Sequence, residues 1–198
     1  MIAFERENDT VFRLKVPFER IYTSVFLIEA SKRILVDCAT SAKDVETYII
    51  PALQAKGYEL SDLGALVLTH QHADHAGGFL RVMELAPNIE VIKEVCEICD
   101  GVCTYPMSGH TEDCIGVLDL RTGILISGDG LQGAGVDKYR CNVKSPEEYL
   151  STLERIKQDG RIERILFSHA YEPWNCDSIV GREKINDVIA ICKEYMKK

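Results

Sequence analysis

The sequence lacks three features, and each absence excludes a class of protein. No apolar stretch approaches the roughly 18–20 residues that a transmembrane helix needs, so no membrane span is predicted. Basic residues are outnumbered, with 23 Lys and Arg against 31 Asp and Glu and a formal net charge of −8, which argues against a nucleic-acid partner. The first residues are too acidic and too polar for a signal peptide. We therefore expect a cytoplasmic protein without a membrane partner.

Internal repeats, low-complexity segments and obvious linkers are also absent. The chain has 198 residues, of which 46% are hydrophobic, an ordinary proportion for a globular protein with one sizeable core. We therefore predict a single domain that spans residues 1–198. The oligomeric state cannot be inferred from the sequence.

Histidine is scarce too, but three of the five histidines lie within six residues. His70, His72 and His75 share this run with Asp74, and the apolar residues 64–68 before it predict a buried strand. Imidazole and carboxylate are the usual ligands of a borderline metal such as zinc. In a loop at a strand's end, alternate side chains can face one point, so His70 and His72 can bind one metal. Asp74 and His75 then lie beside a second. We interpret the run as a metal site rather than a solvated polar turn.

Three more candidate ligands follow later in the chain. His110 comes after a glycine, and His169 ends the apolar run 162–169. Asp129 follows an apolar strand and is flanked by glycines, which let other groups approach closely. Each of these alone is more often a polar loop residue. Together with the first run they supply seven N and O ligands, enough for two metals that share one carboxylate.

This set of residues, in this order, resembles the metallo-β-lactamase superfamily. The most specific element is the His-x-His-x-Asp-His run from His70 to His75, and the others are Gly109-His-Thr111, Gly128-Asp129 and the late His169. The strand 35–37, which ends in Asp37, and the helix predicted to begin at Pro146 also resemble parts of that family. The sequence departs from the family where Cys114 stands in place of a small residue and Ser168 in place of a glycine.

The resemblance implies an α/β fold and a ligand arrangement. The fold is a four-layer αββα sandwich, in which two mixed sheets pack face to face with helices outside, here in a compact, stand-alone member. Two divalent metal ions are implied, with zinc as the first choice and iron or manganese as alternatives. The first metal would be bound by His70, His72 and His110. The second would be bound by Asp74, His75 and His169. The carboxylate of Asp129 would bridge the two metals.

The chemistry implied is hydrolysis. Two neighbouring cations lower the pKa of a shared water toward about 7, which makes a bridging hydroxide available at neutral pH. Asp74 is our candidate catalytic residue, which would orient the hydroxide and shuttle its proton. We expect a small-molecule substrate, namely an ester, thioester, lactone or amide. A β-lactamase in the strict sense is not expected, because that activity belongs outside the cytoplasm.

Two other functions remain open from the sequence. A persulfide dioxygenase with mononuclear iron, or another redox member of the superfamily, would use a subset of the same ligands. Flavin-linked members tend to have Glu where this chain has His72, which argues against that group. A catalytically silent binding module is the third alternative, although no ligand is missing.

Substrate contacts are expected near the later ligands. Lys138, Tyr139 and Arg140 lie between Asp129 and His169, and Tyr171 follows His169 closely. Loops that carry ligands at both ends must border the metal pocket. These four side chains are therefore candidates for binding an anionic or aromatic group of the substrate.

Three of the eight cysteines lie within eight residues: Cys96, Cys99 and Cys103. They could bind a structural zinc or an iron–sulfur cluster, form a redox pair or disulfide, or remain reduced. A closed tetrahedral site needs four ligands, and all five histidines are already assigned. We expect reduced thiols that take no part in the reaction.

The remaining pattern predicts strands first, followed by alternating helices and strands. The predicted strands are 11–16, 23–29 and 33–37, and a hairpin of 115–120 with 123–127. The predicted helices are 42–56, interrupted by Pro51, then 76–85, then 146–158 with Ser145 and Glu148 as a capping box, and one from Asp177 or Ser178 to about residue 196.

Overall fold

The computed structural model describes residues 2–19, 21–131, 143–171 and 176–196. The chain forms two compact units, residues 1–93 and 94–198. Each unit has its own six-stranded sheet and its own hydrophobic core. The predicted single domain of residues 1–198 would include both units, and this stays a prediction.

The first unit contains a mixed sheet in which the strands lie in chain order. They are β1 (Glu5–Arg6), β2 (Val11–Phe18), β3 (Ile21–Glu29), β4 (Arg33–Val36), β5 (Ala65–Val67) and β6 (Glu90–Ile92). β1 to β4 pair antiparallel, whereas β5 pairs parallel with both β4 and β6. The helices are α1 (Ala42–Asp44), α2 (Ile50–Ala55), α3 (Ala73–Ala76) and α4 (Phe79–Leu85). Parallel strands need crossover connections, and the helical segments provide them here.

The core of the first unit joins one face of this sheet to the helices. Leu27, Leu35 and Leu66 from neighbouring strands cluster with Ile49 and Leu53 from the first helical segment, and all five are fully buried. The cluster holds the strand ends in place, and these ends carry the polar residues described below.

The second unit contains another mixed sheet, in the order β12-β11-β10-β9-β8-β7. Its strands are β7 (Glu97–Cys99), β8 (Val102–Pro106), β9 (Ile115–Asp119), β10 (Ile124–Ile126), β11 (Arg164–Tyr171) and β12 (Cys176–Val180). β10 and β11 pair parallel, and the other neighbours pair antiparallel. Two long helices, α5 (Pro146–Gln158) and α6 (Arg182–Tyr195), pack on a core that includes Leu125, Leu153 and Ile189.

Most of the predicted elements are confirmed, and the helix that contains Pro51 shows how it tolerates proline. The residues between α1 and α2, Val45–Ile49, form a π-helical turn, in which Ile50 N–H donates to the Val45 carbonyl. Proline has no N–H and its ring clashes with a preceding carbonyl, so a regular helix would be broken there. The wider turn lets the chain continue into α2 instead.

Three predictions about elements were wrong or incomplete. The last helix begins at Arg182, because residues 176–180 form strand β12 beside β11, with Ile179 opposite Ile165. Ser145 is the N-cap residue of α5 but makes no side-chain capping bond, so the predicted capping box is absent. The short strands β6, β7 and β8 were not predicted, because runs of three to five residues carry little periodic signal.

None of the helices in the described ranges has the length and apolar character needed to cross a bilayer.

Candidate metal centre

In the first unit, four of the predicted ligands follow the end of β5. His70 lies just beyond the strand and is buried. His72 is the N-cap residue of α3, and Asp74 and His75 lie within that helical turn. The expected extended loop is therefore a strand end followed by one turn of helix. α3 ends before Gly77, and the helix predicted for residues 76–85 begins only at Phe79.

These four side chains lie close together. The ring of His70 is centred 4.7 Å from that of His72 and 4.2 Å from that of His75. Asp74 Oδ2 lies 3.4 Å from His75 Nε2. His70 and His75 are buried, whereas His72 and Asp74 are half-buried. The first unit thus brings His70 together with His72, and Asp74 together with His75.

A buried carboxylate orients His75. Asp37 directly follows β4, and its Oδ2 lies 2.7 Å from His75 Nδ1. A proton on Nδ1, donated to this carboxylate, leaves the Nε2 lone pair of His75 available for a metal. In the sequence, Asp37 ends a strand that resembles the family, but no local pattern predicts a role for it. β4 and β5 are parallel neighbours, so their carboxyl ends meet at one edge of the sheet, and this pairing could have revealed the contact.

Two glycines fix α3 against the segment after β4. A Cβ on Gly77 would clash with the carbonyl of Thr40, and one on Gly78 would clash with the carbonyl of Cys38. Cys38 N–H donates to the carbonyl of His75 at 2.8 Å. The hydrogen bond from Cys38 and the close packing at the two glycines therefore both fix the backbone that carries Asp74 and His75.

In the second unit, Asp129 lies between two histidines. Its Oδ1 is 3.3 Å from His169 Nε2, and its Oδ2 is 3.7 Å from His110 Nε2. All three residues are buried. Asp129 follows β10 and His169 lies in β11, and these two strands are parallel neighbours. Each carboxylate oxygen thus faces a different imidazole, which is the orientation expected of a bridging ligand.

Helix α5 holds the turn that carries His110. The Gly109 carbonyl accepts hydrogen bonds from the N–H groups of Lys144 and Ser145, at 2.8 and 3.0 Å. Gly109 has a φ of +136°, and a Cβ there would lie 2.6 Å from Cα of Tyr149. Thr152 Oγ1 donates to the Ser108 carbonyl at 2.8 Å. These contacts also explain why α5 needs no side-chain cap, since tertiary contacts fix its start.

Cys114, where the sequence departs from the family pattern, closes the same turn. Its Sγ lies 3.1 Å from Thr111 Oγ1. Burial raises the pKa of the Cys114 thiol to about 11. The side chain is therefore a neutral thiol at pH 7 and contributes a hydrogen bond rather than a thiolate ligand.

The chemistry of the donor set fits divalent metals. All the candidate ligand atoms are imidazole nitrogens or carboxylate oxygens. Within the units, Asp74 lies 3.4 Å from His75, and Asp129 lies 3.3 Å from His169 and 3.7 Å from His110. Zinc, iron and manganese accept such ligands. The assignment of the seven residues as ligands remains a prediction, now supported by their proximity within each unit.

The predicted substrate contacts are not described by the structure. Lys138, Tyr139 and Arg140 lie within 132–142, outside the described residues. Tyr171 ends β11, but its side chain is also outside the description. All four stay predictions.

The hairpin of β7 and β8 separates two of the three clustered cysteines. Glu97 pairs with Cys103, and Cys96 exchanges hydrogen bonds with Thr104. Because successive residues of a strand face opposite sides, Cys96 and Cys103 lie on opposite faces of the hairpin. Among the described residues, no group of three potential ligands includes any of these cysteines, and all three are free thiols.

Comparisons with known proteins confirm the resemblance to the metallo-β-lactamase superfamily. Residues 19–95 match the sequence profile of that superfamily. Beta-lactamase-like protein 2 homolog of Drosophila melanogaster is 29% identical over 177 residues, covering 74% of this chain and 58% of the fly protein. Probable metallo-hydrolase YqjP of Bacillus subtilis (strain 168) is 34% identical over 71 residues, covering 36% of this chain and 22% of YqjP. The chain therefore spans less than two thirds of the curated relatives it matches.

Solved structures confirm the fold over nearly the whole chain. The metallo-β-lactamase FIM-1 of Pseudomonas aeruginosa, in its mono-zinc form, aligns with a TM-score of 0.75 at 17% identity, covering 99% of this chain and 96% of FIM-1. Rubredoxin oxygen:oxidoreductase of Desulfovibrio gigas aligns with a TM-score of 0.74 at 14% identity, covering 98% and 62%. The two mixed sheets with their helices thus form the metallo-β-lactamase fold. The class defined by fold and site is a metallo-β-lactamase-like protein with candidate metal-binding groups.

Proposed function

We propose that this protein is a dinuclear metal hydrolase that acts on a small ester, thioester, lactone or amide. The observation that carries the proposal is the position of Asp129, whose two oxygens face His110 and His169 separately. A carboxylate that offers one oxygen to each of two cations offsets their mutual repulsion. A single-metal site would not need this arrangement.

The proposal joins the ligands of both units into one centre. His70 and His72 would bind the first ion with His110, while Asp74 and His75 would bind the second with His169. Three observations support it: the order of the ligands along the chain, the proximity of the ligands within each unit, and the alignment of the whole chain with metallo-β-lactamases.

The residues of the chain would divide the work of hydrolysis. When bound, two divalent ions would supply a hydroxide nucleophile at neutral pH and polarise the substrate carbonyl. Asp74 is half-buried and lies beside His75 Nε2, so its carboxylate can accept the proton of the attacking water and pass it to the leaving group. Asp37 keeps the imidazole of His75 in one orientation while this happens.

A small-molecule substrate in the cytoplasm is part of the proposal. The net charge of −8 disfavours a polyanionic substrate such as nucleic acid. The name of the Bacillus relative, a probable metallo-hydrolase, agrees with hydrolysis. Lys138, Tyr139, Arg140 and Tyr171 remain our proposed substrate contacts.

The test combines metal analysis with an activity screen. Protein prepared metal-free and reloaded with Zn²⁺ should hold about two ions and hydrolyse at least one of a panel of esters, thioesters, lactones and amides. Asp74→Asn should fold normally and lose at least about 100-fold in kcat, the scale of a lost acid–base group. Asp100→Asn, a change at an exposed hairpin residue, is the matched control and should retain activity.

Two results would contradict the proposal. One is an Asp74→Asn variant that keeps full turnover. The other is a native protein that holds one iron per chain and consumes oxygen with a persulfide while hydrolysing nothing in the panel, which would favour the redox alternative.

A further inference from the structure

We infer that Thr69 is a positioning residue whose hydroxyl links the ligands of the two proposed metals. The inference rests on the proposed function, because it assigns His70 to one ion and His75 to the other. Thr69 lies between β5 and His70 and is fully buried. Its single hydroxyl reaches Asp37 Oδ2 at 2.8 Å, His70 Nδ1 at 3.2 Å and His75 Nδ1 at 3.4 Å.

The donors and acceptors around this hydroxyl indicate where each proton lies. Asp37 Oδ2 accepts from Thr69 O–H and from His75 Nδ1–H, while Asp37 Oδ1 accepts from Thr69 N–H at 2.8 Å. Having donated its proton to Asp37, the hydroxyl can only accept from His70. This contact favours the tautomer of His70 that carries its proton on Nδ1, which leaves Nε2 for the metal.

The Thr69 hydroxyl thus orients two proposed ligands, one directly and one through Asp37. It accepts directly from His70, and it holds the carboxylate that orients His75. Removing it would leave the buried Nδ1–H of His70 without this acceptor, so the preference for this tautomer over the other one would weaken. The other tautomer carries its proton on Nε2 and cannot bind a metal through that nitrogen. Asp37 would keep two of its three donors, so His75 would be loosened rather than released.

The chain offers matched variants for this inference. Thr69→Val keeps the shape and the backbone N–H that bonds Asp37, and removes only the hydroxyl. Thr69→Ser keeps the hydroxyl and removes a methyl group. Thr23→Val removes a buried threonine hydroxyl from β3 of the same unit, where that oxygen has no hydrogen-bond partner among the described residues.

Metal affinity and the tautomer of His70 are the two readouts. Chelator competition should show that Thr69→Val binds both ions about 10–100-fold more weakly, the usual cost of losing a partner that orients a ligand. Thr69→Ser and Thr23→Val should stay within about threefold of the native protein, a difference of less than 1 kcal/mol. In metal-free protein, ¹⁵N NMR of the imidazoles should show His70 protonated mainly on Nδ1 in the native chain and a larger fraction of the Nε2 tautomer in Thr69→Val.

The outcomes separate this inference from the proposed function. If the native protein binds two ions and Thr69→Val binds them equally well with His70 unchanged, the inference is wrong and the proposed function stands. A native protein that binds no metal contradicts the proposed function, and the tautomer measurement still decides the role of Thr69. If Thr69→Val and Thr23→Val lose the same amount of metal affinity, the effect comes from packing alone and the inference is wrong.

Discussion

At the scale of single residues, the candidate site depends on which oxygen or nitrogen faces which partner. One oxygen of Asp129 faces His110 and the other faces His169. Asp37 Oδ2 accepts a hydrogen bond from Nδ1 of His75, the ring nitrogen that faces away from Asp74. In the proposed centre, the first carboxylate would hold metals and the second would orient a ligand. The two aspartates should therefore respond differently to substitution.

Asp129→Ala should lose the second metal before the first. Without the carboxylate, nothing offsets the repulsion between two neighbouring cations, so about one ion per chain should remain. Turnover of a confirmed substrate should fall at least about 100-fold, because the centre would lose one of its two Lewis acids. The fold of the metal-free protein should be nearly unchanged, since Asp129 contributes little apolar packing.

Metal content by mass spectrometry, kcat/KM and circular dichroism of the metal-free protein would measure these three effects. Asp100→Ala is the control at an exposed position. An Asp129→Ala protein that retains two ions and native turnover would refute the bridging role.

At the scale of elements, strand ends and one helix start position every candidate ligand. His70 follows β5, Asp129 follows β10, and His169 lies within β11 near its end. His110 differs, because its turn is held by contacts with α5 rather than by sheet pairing. The closest of these contacts involves Gly109, which no residue with a Cβ can replace without moving the helix.

Gly109→Ala should therefore both destabilise the protein and weaken metal binding. The new methyl group would meet the backbone of Tyr149, and the φ of +136° strains any residue other than glycine. We expect a loss of about 2–4 kcal/mol in the free energy of unfolding, the upper range for a substitution at a special backbone conformation. His110 would move with its turn, so metal affinity should fall as well.

Gly160→Ala is the matched control, because a Cβ there meets no atom of the described part of the chain within 4 Å. It should leave stability within about 1 kcal/mol of native or increase it slightly, by restricting the unfolded chain. Urea denaturation of the metal-free proteins separates the two variants. Equal stabilities for Gly109→Ala and Gly160→Ala would show that α5 does not clamp the turn.

At the scale of the whole molecule, metal binding and folding should be coupled. The proposed ligands lie at positions between residues 70 and 169, and an unfolded chain would not hold them together. An ion that binds only the folded chain stabilises it by about 2.7 kcal/mol at a free concentration 100 times its dissociation constant. The net charge of −8 also makes the binding of cations favourable at long range.

Chelation should therefore lower the melting temperature, and added Zn²⁺ should restore it. Two measurements by differential scanning fluorimetry, with a chelator and after reloading, are sufficient. Mg²⁺ serves as the control, since it prefers oxygen ligands and should restore little. A melting temperature that is the same with and without metal would mean that the ligands do not bind an ion tightly.

The sequence predicted the seven candidate ligands and most elements, because both have strong local patterns. The run from His70 to His75 is compact, and α5 has clear helical periodicity. Asp37 and Thr69 were given no role, because their contacts join residues more than 30 positions apart and depend on the pairing of β4 with β5. The pattern predicts a helix from residue 177 or 178, where β12 lies, because two of the five residues of β12 are polar and its pairing with β11 is not visible locally.

The glycine pair at positions 77 and 78 also restricts which sequences can adopt this path of the chain. Each glycine lies against a backbone carbonyl, so no compensating change of a neighbouring side chain can make room for a replacement. A lineage that loses either glycine cannot recover the original path of the chain by altering a ligand, because the obstacle is the main chain itself. A histidine of the proposed site has alternatives among other side chains that bind metals, whereas neither glycine has an alternative without a Cβ.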